Sequence, residues 1–148
     1  MPRDTVEDAP MEKTDAGAIG LLTATSRYPV AETVDRLTDA VRAAGNTVFA
    51  RIDHAAGAAE VGLSMPPTQV LIFGNAAAGT PLMQAAPTLA IDLPLRFLVW
   101  QDDAGTTRVA WNDPIYLAAR HGAQRVETRL KAIGEKLAAL AATLAPSS

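Results

Sequence analysis

The chain has 148 residues, 49% apolar and 20% charged, a length and balance that fit one globular domain and exclude disorder over most of it. A net charge of −3 with no run of lysine or arginine argues against a nucleic-acid partner, because displacing counterions needs a basic face. No cysteine is present, which excludes disulfides, thiolate metal sites and thiol catalysis, and no apolar run is long enough to span a bilayer.

Residues 1–16, MPRDTVEDAPMEKTDA, carry no periodicity and are expected to form a flexible tail ahead of a single domain over residues 17–146. The start lacks the basic flank and apolar centre of a signal peptide, so a cytoplasmic protein is expected. IGLLTATS (residues 19–26) predicts a first strand, apolar enough to be central. In YPVAETVDRLTDAVRAAG, Val30, Val34, Leu37 and Val41 make one apolar stripe at helical spacing, and Gly45 sits where that helix would stop. TVFARIDH alternates, with Val48, Ala50 and Ile52 on one face and Phe49, Arg51 and Asp53 on the other, which predicts a strand. AAGAAEVGLSMPP reads as a connector with about one helical turn. TQVLIFGN is apolar on both faces and predicts an interior strand.

AAAGTPLMQAAP predicts a short helix starting near Thr80, with Pro81 as its first residue, and TLAIDLP reads as extended. Two strands flank Asp103-Ala104-Gly105, the clearest hairpin in the chain, with Asp102 and Asp103 solvated at its tip. Asp113 and Pro114 open a further short helix. Val126, Leu130, Ile133, Leu137, Leu140 and Leu144 form the stripe of a long helix over residues 124–144. The element order predicts an α+β fold: a mainly antiparallel sheet with helices packed on one face and one core.

Gly74 and Gly79 have the spacing of a phosphate-binding loop, after a strand and before a helix. Thr80 stands where that loop needs its lysine, and Pro81 where it needs a magnesium-binding hydroxyl. Nucleotide hydrolysis is therefore excluded, and the glycines read as turn residues ahead of a helix N-terminus that could take a small anion.

Taken together, VFARIDHAA, VGLSMPPTQVLIFGNAAAGTPLMQAAP, IDLPLRFLVWQDDAG and WNDPIYLAARHG resemble the bacterial and archaeal family called domain of unknown function 302, over roughly residues 18–140. The resemblance implies a β-α-β4-α layout, a single copy of the TATA-binding-protein-like arrangement, and a homodimer, but no established activity. Ala76 and Ala77 stand where family members often carry proline and lysine, which weakens an anion site there.

The polar residues of these strings are the site candidates. Asp53, His54 and His121 are the acid-base candidates; against this, Asp53 suits a turn cap and His121 the end of a short helix. Asn75, Gly79, Thr80, Asp92 and Tyr116 are the ligand-binding candidates. A metal site would need both histidines to meet Asp53 or Asp92, and without a spacing motif neither metal nor cofactor is expected. Three functions compete: a homodimeric small-ligand-binding or assembly module, the leading reading; a small cofactor-free enzyme using Asp53, His54 or His121; and a structural partner docking through an exposed stripe on the last helix.

Overall fold

The computed structural model describes residues 17–147; the expected tail over residues 1–16 lies outside them. Five strands form one sheet in the order β1-β5-β4-β3-β2, with every neighbouring pair antiparallel. They are β1 (Leu21–Ser26), β2 (Thr47–Asp53), β3 (Thr68–Gly74), β4 (Leu95–Gln101) and β5 (Thr107–Asn112). Helices α1 (Val30–Ala43), α2 (His54–Glu60), α3 (Ala76–Ala85), α4 (Pro114–Arg120) and α5 (Glu127–Ala142) connect or follow them. This is an α+β fold in which a β-α-β4-α skeleton carries extra helices in three of its connections.

The core lies between one sheet face and helices α1 and α5. Register places Leu71 opposite Phe97, Val99 opposite Val109 and Trp111 opposite Leu22, so these side chains share one face. Onto it pack Val30, Val34, Leu37 and Val41 of α1, each at most 4% exposed, and Leu137 and Ala141 of α5. Burying each large aliphatic side chain stabilises by about 1.5–3 kcal/mol as an upper bound. The α1 terminus is held without a side-chain cap from Pro29; Ser26 Oγ instead accepts from the Tyr28 amide at 3.1 Å and pairs with the Thr33 hydroxyl at 2.7 Å. At the far end Gly45, at φ +92°, lets the chain reverse into β2.

Several elements differ from the sequence expectation. Among the described residues β1 is an edge strand, not a central one: no strand pairs with its outer side, and its apolar residues face the helices only at alternate positions. β2 does not alternate throughout. A bulge between Val48 and Ala50 puts Val48 opposite Phe73 on the helix side and Ala50 opposite Ile72 on the other, leaving Phe49 57% exposed. The connector after β2 holds the seven-residue α2, whose cap is Asp53 Oδ1, accepting from the Ala56 amide at 2.9 Å. α3 starts at Ala76 rather than near Thr80, with Asn75 as its cap and Pro81 inside it. TLAIDLP is a 3-10 helix over Pro87–Ile91, followed by a cis Leu93–Pro94 peptide, and is not extended. The last helix begins after a separate 3-10 turn, Gln124–Val126. Asp102 is not merely solvated at the hairpin tip: its Oδ1 accepts from the Ala104 and Thr106 amides at 3.0 and 2.9 Å.

Two buried clusters replace the expected single core. The second joins Leu82, Leu89, Leu117, Val126 and Leu130, none of them in a strand, and Ile133 packs against both. Of the predicted stripe, Leu130, Leu137 and Leu144 are at most 4% exposed, while Ile133 and Leu140 stay half-buried.

Candidate ligand-binding cleft

β3 ends at Gly74, and Asn75 turns the chain directly into α3. Asn75 Oδ1 accepts from the Ala78 amide at 3.1 Å, while its Nδ2 donates to the Gly45 carbonyl at 3.2 Å. One side chain thus starts α3 and ties it to the turn after α1. The first turn that follows, Ala76-Ala77-Ala78-Gly79, carries nothing larger than a methyl group. Opposite stands the C-terminal half of α5. Between them opens a cleft of about 960 Å³, floored by Phe73 and bordered by Phe49 and the Leu93–Pro94 segment. Small-molecule sites typically occupy about 300–1,000 Å³. The lining is almost wholly apolar, with half-buried Met83 and Leu140 among small residues and buried Leu82 and Leu137 behind them.

Of the ligand-binding candidates, Asn75, Gly79 and Thr80 line this cleft. Asp92 and Tyr116 do not. The Tyr116 ring lies over Gly20, where an added Cβ would come within 2.4 Å of it. Asp92 belongs instead to a polar cluster with Thr88, Arg120 and His121. Its Oδ2 meets His121 Nε2 at 2.6 Å, both its oxygens accept from Arg120, and His121 Nδ1 lies 2.8 Å from the Thr88 hydroxyl. His121 is well sheltered there, its side chain only 6% exposed. The cluster pins the 3-10 segment to the end of α4, and the small space beside Asp92, about 10 Å³, is too small for a ligand.

The acid-base candidates do not come together. Asp53 caps α2 and His54 opens it on the surface, and neither shares a hydrogen bond or ion pair with His121 among the described residues. No group of three or more histidine and carboxylate side chains among the described residues is placed to hold a metal ion.

The sequence did not single out Phe49, Met83, Leu140 or Lys136 as lining residues. Phe49 is delivered by the β2 bulge, which alternation hides. Lys136 sits among Ile133, Leu137 and Leu140 on α5, a cation inside an apolar stripe, and that placement is the signal that was available.

Comparison with known proteins gives three findings. The family model described as "Domain of unknown function DUF302" matches residues 22–144. Over 102 residues the chain is 49% identical to "Fluoride-specific ion channel FluC 1" of Brucella suis biovar 1 (strain 1330), covering 69% of this chain and 40% of that one. A chain of Brucella melitensis biotype 1, "Fluoride-specific ion channel FluC 2", matches at the same identity with 38% of its length covered. The chain therefore spans about two-fifths of these curated relatives. Among solved structures, the "uncharacterized conserved protein DUF302 from Bacillus stearothermophilus" superposes with a TM-score of 0.78 at 21% identity, covering 86% of this chain and 99% of that one. At that identity the likeness speaks for the fold alone.

Proposed function

This chain belongs to the DUF302 family, and because membership brings a fold without an activity, we propose from its own geometry that the protein is a small-ligand-binding module, cytoplasmic and homodimeric. The cleft between α3 and α5 carries this reading: its size suits a small molecule, its lining is apolar, and no acid-base pair converges on it. The face of the sheet away from α1 and α5 supports the homodimer. There Ile52, Val70 and Leu98 lie side by side across three strands, with Trp100 one position along, and none of the four is fully buried.

Native mass spectrometry of protein taken from its own host, without reconstitution, tests the reading. A dimer that retains a small molecule is expected. The companion variant is Gly79→Phe. Gly79 lines the cleft, and a Cβ there has only the tip of Met83 within 4 Å, so this position accepts a side chain at its first carbon without a clash. The variant should fold and lose the bound molecule. Retention of the molecule by Gly79→Phe would place binding elsewhere.

The Brucella relatives favour a second reading, that of a module acting beside a membrane transport protein. An ion channel needs segments that cross the bilayer, and among the described residues of this chain no helix is long and apolar enough to do so. This chain covers 40% of the Brucella suis relative, so the reading here is of a companion module. Deleting the gene for this chain should raise fluoride sensitivity if it serves such a channel; unchanged growth across a fluoride series would remove that reading and leave the cleft untouched.

A further inference from the structure

The chemistry of the cleft's polar groups narrows its ligand, given the binding reading above. Among the described residues that line the cleft, Lys136 carries the only charge and none is a carboxylate. Lys136 has no acidic neighbour one turn away on α5, where Ala132, Ile133, Ala139 and Leu140 occupy those positions. It forms no ion pair among the described residues. The remaining polar side chains are mostly engaged with nearby backbone. Asn46 donates to the Val41 carbonyl, Asn75 bonds Gly45 and Ala78, and the Thr143 hydroxyl donates to the Leu140 carbonyl. That leaves the Lys136 ammonium and the Thr80 hydroxyl to meet a ligand.

An apolar volume of about 960 Å³ with one unpaired cation on its wall is complementary to a molecule of the same design. We propose that the cleft binds an amphipathic carboxylate, an acyl chain lying between α3 and α5 with its single anionic head at Lys136. The run of small residues at the start of α3 leaves room for the chain, and Phe49, Met83 and Leu140 give it an apolar wall. A neutral apolar ligand would leave the lysine without a partner. A polyanion would find one cation and no second.

Calorimetric titration with unbranched carboxylates of eight to twelve carbons, and with alcohols of the same lengths, separates the two halves of the idea. Each added methylene should tighten binding about fourfold, the value expected for burying one such group. Carboxylates should bind about five- to tenfold more tightly than the matching alcohols, as for a charge-assisted contact at a partly exposed site. Lys136→Met keeps the apolar stem and should abolish that preference, with acids and alcohols both still binding and still gaining about fourfold per methylene, which shows that the apolar cleft is intact. Equal affinity for acid and alcohol in the unaltered protein, or a preference that survives Lys136→Met, would overturn the head-group assignment and leave a binding cleft for neutral ligands. Failure of both series to bind would overturn the ligand class, while the binding reading would still be decided by whether a molecule is retained in native mass spectrometry.

Discussion

Two glycines in helices answer opposite questions at the residue scale. Gly57 lies in α2 with open space where a Cβ would go, so Gly57→Ala should stabilise by about 0.5–1 kcal/mol through reduced unfolded-state freedom. Gly134 lies in α5, and the same change brings a Cβ to 2.9 Å from Pro114 Cγ and 3.0 Å from its Cδ. The rigid proline ring cannot swing aside, so the gain in helix propensity of about 1 kcal/mol is outweighed by an overpacking cost of about 1–3 kcal/mol. Urea unfolding of the two variants should show midpoints moving in opposite directions. Read as letters, the two glycines are equivalent; only the packing of α4 on α5 tells them apart. The Asp92–His121 pair shows the same limit. Each residue was legible as polar and local, but the sequence separation of 29 residues hides that a 3-10 turn and a helix end bring them within 2.6 Å.

At the scale of elements, α1, β3, the hairpin and α5 were legible because each is specified by its own periodicity or turn residues. The start of α3 was not, because two signals compete. Thr80-Pro81 is a good helix opening, yet Asn75 lies where β3 ends and supplies a cap five residues earlier. Pro81 is tolerated inside the ten-residue helix although it donates no hydrogen bond to the turn before it. Asn75→Ala should therefore cost about 1–2 kcal/mol, the loss of a cap, and loosen the wall of the cleft as well. Asn75→Asp keeps an acceptor for the Ala78 amide and suits the helix dipole, but cannot donate to Gly45, so it should lose less than half as much. Thermal unfolding of the pair would show the graded effect; equal losses would mean that the tie to Gly45, not the cap, holds this element. The cleft was hidden for a related reason. Its floor, borders and two walls come from β2, β3, α3, the Leu93–Pro94 segment and α5, and no single stretch of sequence displays their separation.

At the scale of the whole molecule, the sheet's antiparallel character could be read from one hairpin, but its strand order could not. The order places β2 through β5 as a run of successive neighbours and seats β1 beside β5, Leu21 opposite Asn112 and Ser26 opposite Thr107. The chain just after β1 is also tied to the end of the last helix, where the Arg27 amide donates to the Leu144 carbonyl at 2.9 Å. During synthesis these partners emerge from the ribosome long after β1 does. β1 is therefore seated only once β5 has been made, and until then its backbone groups lack the strand partner that the fold gives them. A nascent chain interrupted before residue 107 would carry that strand exposed, so the interval between making β1 and making β5 is the period in which this protein is most exposed to misassociation.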